Sequence, residues 1–425
     1  MKRFALTLLL CCFALQGFAQ KTYLHCGGLI DVATGKRQTA KTLIVENNRI
    51  LEIRDGYSSP GDGDLLVDLK EKTVLPGLTD MHVHIESQSS PDTYIKRFTM
   101  NPADIAFEAA SYAESTLMAG FTTVRDLGGS GVNIALRKAI DKGLTPGPRL
   151  YTAGKSIATT GGHADPTNGR RLDELGDPGP KEGVVNSPEE GRKAVRQRYK
   201  EGSDVIKITA TGGVLSVSKN GQNPQFTVEE IRAITETAAD YGMLTAAHAH
   251  GDEGMQRAIL GGIRTIEHGT LMSEATMAMM KEHGVYLVPT ISAGKTVAEL
   301  AEKPGYYPEV VALKARAIGP QIQDMFAKAY KLGVPIAFGT DAGVFPHGKN
   351  AMEFGFMVEA GMPAAEALKS ATITCAQLLG TASELGQLKA GFLADIIAVD
   401  GNPLEDIHVM ETVSFVMKDG KIYKQ

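Results

Sequence analysis

The stretch LPGLTDMHVHIE, residues 75–86, begins with a Pro-Gly break, continues as an apolar segment and ends near two histidines, His82 and His84. Successive side chains of a β-strand point to opposite faces, so residues two positions apart share a face. Both imidazoles would therefore project the same way from a strand end. Paired neutral imidazoles favour a metal site, although a His-x-His pair also occurs on ordinary strand surfaces.

The composition is that of a soluble globular enzyme. The 425 residues suffice for one large barrel with a smaller appendage. Hydrophobic residues make up 43% of the chain and charged residues 22%, which are ordinary values. The net charge of −5 and the absence of a long Lys/Arg cluster predict no nucleic-acid partner.

The N-terminus has the pattern of a signal peptide over residues 1–19. Lys2 and Arg3 precede an apolar run at 4–15, and small residues flank a cleavage position after Ala19. The run is shorter than the about 20 residues that span a bilayer, so no stable membrane insertion is expected once the signal is removed. We expect a periplasmic or secreted protein, with a lipid-anchored Cys11 as an alternative.

The cysteines do not form a disulfide scaffold. Cys11 and Cys12 would leave with the signal, so that only Cys26 and Cys375 remain. The two could meet in a domain built from both chain ends, which leaves their pairing open. Two separate buried thiols are the favoured interpretation.

Both ends of the mature chain are rich in short strands. Residues 43–54 read as two strands around an Asn-Asn turn, a hairpin pattern. Residues 394–401 and 413–423 add further strands with glycine turns. Residues 20–75 and 388–425 are therefore predicted to form one composite β-sandwich domain.

The middle of the chain, residues 76–387, alternates apolar strand patterns with amphipathic helices such as 104–119 and 227–241. This α/β pattern predicts βα units around a parallel sheet, and eight units in this length predict a (β/α)8 TIM barrel. A doubly wound sheet is the alternative, but no glycine-rich dinucleotide motif follows the first strand. The predicted strands are 77–84, 121–126, 149–153, 204–210, 243–248, 264–268, 285–290 and 335–341.

The positions of the histidines agree with a barrel, whose catalytic groups lie at the carboxyl ends of its strands. Seven of the ten histidines end or follow a predicted strand, whereas random placement would scatter them over helices and loops. The seven are His82, His84, His163, His248, His250, His268 and His347.

Two further ionisable residues occur in apolar strands. Asp341 closes the eighth predicted strand, where it is either a metal ligand or an N-cap for the next segment. Lys207 lies within the apolar strand of residues 205–209. It either reaches the rim and pairs with a carboxylate, or burial lowers its pKa so that the neutral amine takes up carbon dioxide and bridges two metals.

The chain resembles the amidohydrolase superfamily. Within it, the chain looks most similar to the metal-dependent carboxypeptidase and dipeptidase branch, whose members are labelled Xaa-Pro dipeptidase-like or imidazolonepropionase-like. The narrower placement is supported by TTGGHAD (159–165) and the Pro-His-Gly turn at 346–348. The superfamily resemblance is carried by LPGLTDMHVH (75–84), VIKITATGG (205–213), AAHAHG (246–251), TIEHG (265–269), FGTDAGVFPHG (338–348) and AGFLADIIAVDGNP (390–403).

The resemblance implies a site for two divalent metal ions. His82, His84 and Asp341 would hold one ion, and His248 and His268 the other. Lys207, as N6-carboxylysine, would bridge the pair. Zinc suits such nitrogen and oxygen ligands and is the expected metal, although other divalent ions bind similar sites.

The expected function is hydrolysis of dipeptides or N-acyl amino acids, with release of a C-terminal amino acid, by a hydroxide that bridges the two metals. Asp341 would move the proton, and the resemblance places His250 at the developing oxyanion, unless it only supports a metal ligand. His163 and His347 are candidates for holding the substrate carboxylate or for structural hydrogen bonds. Arg125 is expected to form an ion pair with nearby carboxylates.

Three alternatives remain from the sequence. A cyclic-amide hydrolase would use the same two-metal site. A deaminase is suggested by the His-x-x-Glu spacing of His250 and Glu253, although it does not need Lys207. A non-catalytic envelope protein would bind metal or ligand without turnover. The expected partner is a small-molecule substrate, and a homo-oligomer is left open.

Overall fold

A computed structural model describes residues 20–425, so the predicted signal peptide lies outside the described residues. Within that range, no helix combines the length and the apolar character needed to cross a membrane. Cys26 and Cys375 are buried, and in residues 20–425 each is a free thiol. The interpretation of two separate thiols is thereby confirmed.

The chain alternates strands and helices through its middle and has strands at both ends. The strands are β1 (Lys21–Asp31), β2 (Lys36–Glu46), β3 (Arg49–Asp55), β4 (Leu65–Pro76), β5 (Leu78–Val83), β6 (Phe121–Asp126), β7 (Arg149–Thr152), β8 (Val205–Thr209), β9 (Leu244–Ala249), β10 (Thr265–His268), β11 (Tyr286–Val288), β12 (Ile396–Asp400), β13 (Val413–Lys418) and β14 (Lys421–Lys424). The α-helices are α1 (Thr93–Thr99), α2 (Pro102–Met118), α3 (Val132–Asp141), α4 (Leu172–Leu175), α5 (Pro188–Glu201), α6 (Val228–Asp240), α7 (Asp252–Leu260), α8 (Glu274–His283), α9 (Ile291–Ala301), α10 (Glu309–Ile318), α11 (Ile322–Lys331), α12 (Met352–Glu359), α13 (Ala364–Lys369) and α14 (Cys375–Leu378). Short 3₁₀ segments occur at Gly319–Gln321 and Ile407–Glu411, and a π-helical turn at Ser370–Thr374.

Both chain ends contribute to one seven-stranded mixed sheet with the order β14-β13-β12-β4-β1-β2-β3. The predicted hairpin is present, because Glu46 of β2 pairs with Arg49 of β3. Side chains from distant parts of the sheet, among them Ile50 of β3 and Phe415 of β13, share one apolar core. The two chain ends therefore build one mixed sheet with a common apolar core, and its description as a β-sandwich stays a prediction.

The barrel consists of parallel strands in two runs, β5-β6-β7 and β8-β9-β10-β11. Single parallel bridges join the runs. Ile157, after β7, pairs with Ile208 of β8. On the other side, Ile336 pairs with Leu287 of β11, and Ala342 pairs with Val83 of β5. The ring of eight parallel segments confirms the predicted (β/α)8 barrel.

Two predicted strands differ from the structure by more than one residue at an end. The eighth, at 335–341, is an extended segment with single bridges rather than a regular strand. Asp341 has φ +61°, which lies outside the β region, so a regular ladder cannot continue through it. The seventh was predicted to reach Thr290, but β11 ends at Val288 and Thr290 has φ +52°.

The helices begin where the sequence provides capping residues. Thr227 and Glu230 form a capping box at α6, and the Ser187 side chain accepts a hydrogen bond from the Glu190 amide at α5. The strands they connect are buried along their length, as in β5, β6 and β8. Continuous burial is expected for parallel strands covered by helices, and it leaves the strand ends as the place for polar side chains.

Candidate active site

The predicted ligands surround one cavity at the carboxyl ends of the barrel strands. The cavity has a volume of about 300 Å³. Its lining includes all the predicted metal ligands and two further predicted site residues, namely His82, His84, Lys207, His248, His268, Asp341, His163 and His250. The barrel thus brings together side chains that are up to 259 positions apart in the sequence.

Two imidazoles and a carboxylate form the first ligand group. The Asp341 Oδ1 atom lies 3.5 Å from His82 Nε2 and 3.3 Å from His84 Nε2. Among the described residues, Asp341 Oδ1 has no hydrogen-bond partner although it is buried. Three acceptor atoms turned toward one another at this distance fit a cation between them.

The second ligand group lies beside the first. The ring centroids of His248 and His268 are 4.7 Å apart, and those of His82 and His268 are 5.1 Å apart. One ligand atom each from His82, His268 and Asp341 lies within 4.8 Å of the others. The two predicted groups therefore form one continuous cluster.

The outer nitrogen of each first-group histidine lies close to an oxygen atom. His82 Nδ1 lies 2.9 Å from Glu267 Oε2, and His84 Nδ1 donates a hydrogen bond of 2.7 Å to the Gly128 carbonyl. Both interactions leave Nε2 directed at Asp341. Such outer partners fix the tautomer and the ring orientation of a metal-binding histidine.

The second-group histidines are held in the same way. His268 Nδ1 lies 2.7 Å from Thr290 Oγ1, which leaves Nε2 for a ligand role. His248 Nε2 donates to the Gly212 carbonyl at 3.1 Å, which leaves Nδ1. The donor set of imidazole nitrogens and a carboxylate therefore fits divalent metal ions.

Burial keeps these imidazoles neutral, which is the form that binds metal. Burial lowers the pKa of His84 to about 4. It also holds the pKa of His82, His248 and His268 well below the usual value. The site therefore keeps unprotonated nitrogens at neutral pH before any metal arrives.

Lys207 lies inside the cluster. Its Nζ is 3.4 Å from His82 Nε2, and the residue is only 3% exposed. Burial lowers the pKa of Lys207 to about 8, although Glu267 and Asp341 oppose the shift. Burial raises the pKa of Asp341 to about 8, against the effect of Lys207. The position excludes a lysine that simply reaches solvent at the rim.

Strained backbone shapes the rim. His268, Thr290 and Asp341 are non-glycine residues with φ between +52° and +72°, and each lies at the end of a different barrel segment. Such conformations cost on the order of 1–3 kcal/mol each and persist only where the surroundings impose them. At Asp341 the support includes Asp80, whose carboxylate accepts hydrogen bonds from Thr340 and Asn350. These turns direct the ligand side chains into the cavity.

Glu267 is a site residue that sequence reasoning missed. It is fully buried and lies 2.9 Å from both His82 Nδ1 and Arg125 Nη2. Arg125 is also fully buried, and it forms the ion pair with a carboxylate that was predicted. Strand alternation would point Glu267 away from its neighbour His268, but the backbone leaves the strand at His268, so both side chains enter the barrel.

Replacing Arg125 by Met should destabilise the protein strongly. The substitution leaves Glu267 as a buried carboxylate without its cation, a change that typically costs about 3–5 kcal/mol. We expect a marked decrease in the denaturant midpoint, measured by urea unfolding of the metal-free protein. Arg171→Met is the control, because Arg171 pairs with Asp173 on the exposed surface, and it should leave the midpoint unchanged. Equal midpoints for the two variants would contradict the role given to the buried pair.

The three remaining predicted residues differ in position. His250 lines the cavity, and its Nδ1 lies 2.9 Å from Thr270 Oγ1. His163 stacks on His248 with centroids 4.3 Å apart, and its Nδ1 is buried without a partner among the described residues. His347 is not part of the cavity lining; it donates to the Ser87 carbonyl at 2.9 Å and stacks on Tyr112. These contacts support the structural alternative for His347.

A second missed residue, Lys314 of α10, organises the loop that follows β8. Its buried Nζ donates to the carbonyls of Gly213, Ser216 and Ser218 at 2.7 to 2.9 Å. The same loop supplies the Gly212 carbonyl that accepts from His248. Because Lys314 lies about one hundred positions after this loop, only the folded chain reveals the contact.

Comparisons with known proteins agree with the fold and the site. The amidohydrolase family profile matches residues 73–423. Ochratoxinase of Aspergillus niger is 36% identical over 375 residues, which cover 83% of this chain and 75% of the relative. The crystal structure of a Xaa-Pro dipeptidase with bound methionine in the active site is 52% identical, with a TM-score of 0.93, over 96% of this chain and 100% of the other. A prolidase complexed with N-methylphosphonate-L-proline is 32% identical, with a TM-score of 0.88, over 96% and 100% of the two chains. The chain therefore belongs to the amidohydrolase family.

Proposed function

We propose that this protein is a binuclear metal-dependent hydrolase that cleaves the amide bond of dipeptides or N-acyl amino acids and releases a C-terminal amino acid. The observation that carries the proposal is the meeting of six ligand side chains at one cavity at the carboxyl ends of the barrel strands. The ochratoxinase relative and the similar Xaa-Pro dipeptidase and prolidase structures support amide hydrolysis.

His82, His84 and Asp341 would hold one ion, His248 and His268 the second, and a carboxylated Lys207 would connect the two. Zinc suits this donor set. When bound, two divalent ions would lower the pKa of a shared water and polarise the amide carbonyl. The burial of Lys207 favours the neutral amine that reacts with carbon dioxide, because its pKa is lowered to about 8.

Asp341 is the proposed proton carrier. Its Oδ1 faces the ligand cluster and accepts no hydrogen bond from the described residues, so it is free to accept a proton from the attacking water. The same carboxyl group would then pass this proton to the departing amine nitrogen. In the metal-free protein, burial raises the pKa of Asp341 to about 8.

His250 is the proposed partner of the oxyanion that develops from the amide carbonyl. Its pKa is lowered to about 4, mainly by burial, so the ring is neutral. If the Thr270 hydroxyl donates to Nδ1 at 2.9 Å, the ring proton resides on Nε2 and is available to the oxyanion. Replacement of Thr270 would therefore act through the orientation of His250.

Part of the cavity wall is apolar, which supports a substrate with an apolar departing side chain. Five aliphatic residues from the loop after β8 and from α9 to α11 contribute to it, namely Val214, Leu215, Val297, Ile318 and Ile322. Burying a side chain of this size against such a wall contributes roughly 1.5–3 kcal/mol. A basic side chain would find only Asp165 and Asp341 as lining carboxylates in the described structure.

The deaminase alternative lacks its acid. Glu253 lies on α7 with 65% of its side chain exposed, and it pairs with Arg257. It is not among the residues that line the cavity. The His-x-x-Glu spacing therefore does not place a carboxylate near the predicted metals.

Removal of metal should abolish hydrolysis of dipeptides and N-acyl amino acids. Without the cations, nothing in the site activates water, so activity should fall to background after chelation and return when zinc is added. The activity is measured as amino acid released from a panel of dipeptides, N-acyl amino acids and cyclic amides. Metal analysis of the active protein should give about two ions per chain.

Two outcomes would refute the proposal. One is full activity after metal analysis shows complete removal. The other is turnover of cyclic amides or release of ammonia from nucleobases without any cleavage of the linear amides. Hydrolysis of linear amides that depends on metal would separate this function from both alternatives.

A further inference from the structure

A buried carboxylate outside the ligand cluster lies at the start of α9. Glu353, on α12, is fully buried, and it is not among the described residues that line the active-site cavity. Its Oε1 atom accepts a hydrogen bond of 2.8 Å from the Ile291 amide. Its Oε2 atom accepts bonds of 2.7 Å from both the amide and the hydroxyl of Ser292. Because a helix N-terminus stabilises an anion, Glu353 acts as a cap that α12 supplies to α9.

The residue that precedes α9, Thr290, does not cap this helix with its own side chain. A threonine at such a position normally accepts a hydrogen bond from the second or third amide of the helix. The Thr290 side chain makes no capping bond, and its hydroxyl lies 2.7 Å from His268 Nδ1. The Glu353 carboxylate thus takes over the capping role and leaves the hydroxyl to the imidazole.

The backbone of Thr290 shows that this arrangement is imposed on the chain. Its φ is +52°, and within residues 20–425 it is the one β-branched residue with a positive φ. A β-branched side chain disfavours this conformation, so the surroundings must hold it. The support comes from both sides, because the Thr290 amide donates to the Gly339 carbonyl at 3.0 Å and Glu353 binds the next two residues.

We propose that Glu353 is a positioning residue for the second metal ion, because it caps α9 in place of Thr290 and so keeps the Thr290 hydroxyl on His268. The inference rests on the proposed function, which gives His268 its role as a metal ligand. With Nδ1 held by Thr290, the ring keeps its orientation and leaves Nε2 for the ion. Since α9 also carries Ala293 and Val297 of the cavity wall, the same cap fixes this wall relative to the ligand.

Glu353→Gln is the first test. The amide keeps the size of the side chain but turns an NH₂ group toward one of the two helix amides, so Thr290 should rotate to cap α9 and release His268. We expect the affinity for the second zinc ion to fall roughly 10- to 100-fold, with the first ion unchanged. Zinc titration in competition with a chelator measures both steps, and the step that is lost in His268→Asn identifies the second position. Glu359→Gln, the same change at the exposed end of α12, is the control and should alter neither step.

A double-mutant cycle separates positioning from a general effect on the fold. Thr290→Val removes the hydroxyl and keeps the β-branched shape, so it should weaken the second step by a similar factor, whereas Thr290→Ser should retain most of the native affinity. In the Thr290→Val protein, the added change Glu353→Gln should have no further effect on zinc binding, because the hydroxyl through which Glu353 acts is gone. A loss that is equal in the two backgrounds would overturn the inference. If Glu353→Gln does not fold, Ser292→Ala takes its place in the cycle, with an expected loss of about 3-fold, because it removes only the hydroxyl donor to Glu353.

The ring proton of His268 gives a second measurement that needs neither metal nor turnover. In ¹⁵N NMR of the metal-free protein, we expect the native His268 ring to carry its proton on Nδ1, and Glu353→Gln and Thr290→Val to show a mixture of both tautomers. This change, together with the non-additive zinc affinities, would support the inference even if the native protein hydrolysed no amide, a result that would refute the proposed function alone. A native-like tautomer in Glu353→Gln would overturn the role of Glu353 and leave the proposed function in place.

Discussion

Replacing Asp341 by Asn should lower kcat for a dipeptide or N-acyl amino acid by roughly 10²- to 10⁴-fold, the range of a general acid and base. The amide keeps the size of the carboxyl group and one oxygen that can face the cluster, but it cannot accept the proton of the attacking water. Steady-state kinetics with metal content measured on the same sample would test this. The main effect is expected in kcat, because the apolar wall of the cavity remains intact.

Glu253→Gln is the matched control for Asp341→Asn. It replaces the other carboxylate that the sequence suggested for catalysis. The structure places Glu253 on the exposed face of α7. We expect native kcat from this variant. If Glu253→Gln removed the activity and Asp341→Asn did not, the deaminase arrangement would replace the proposed one. Metal binding without turnover in the native protein would instead support the non-catalytic envelope protein.

The barrel and its ligands could be predicted because the relevant signals are local. Apolar runs that alternate with amphipathic helices predict a parallel barrel, and a barrel places strand ends at one rim. His82, His84, His248 and His268 could be recognised as rim residues for that reason. Lys207 stood out because an ammonium within an apolar strand is unusual.

The supporting residues could not be predicted, since their roles depend on tertiary packing. Glu267 reaches His82 only because the chain turns at His268, where φ is +72°. Lys314 acts on a loop that precedes it by about one hundred positions. The positive φ at Asp341, which prevents a regular eighth strand, has no sequence signal of the kind that glycine provides.

Replacing Lys207 by Met should remove the group proposed to connect the two metal positions. We expect fewer than two ions per chain and a decrease in kcat of roughly 10³-fold or more, because activation of water by paired ions contributes several kcal/mol. Methionine has a similar length and tolerates the buried, apolar strand, so the fold should survive. Metal analysis and kinetics measure the effect, with Lys281→Met on the exposed surface of α8 as the control.

The carboxylated form of Lys207 makes a separate prediction about pH and carbon dioxide. Only the neutral amine reacts with carbon dioxide, and with a pKa of about 8 its fraction rises as the pH increases from 6 to 8. Metal loading of the metal-free protein should therefore be faster at pH 8 than at pH 6 and faster with added bicarbonate. ¹³C NMR after loading in labelled bicarbonate should show a carbamate signal that is absent from Lys207→Met. If bicarbonate did not change the rate of metal loading and no carbamate signal appeared, Lys207 would remain an amine and the metals would be connected in another way.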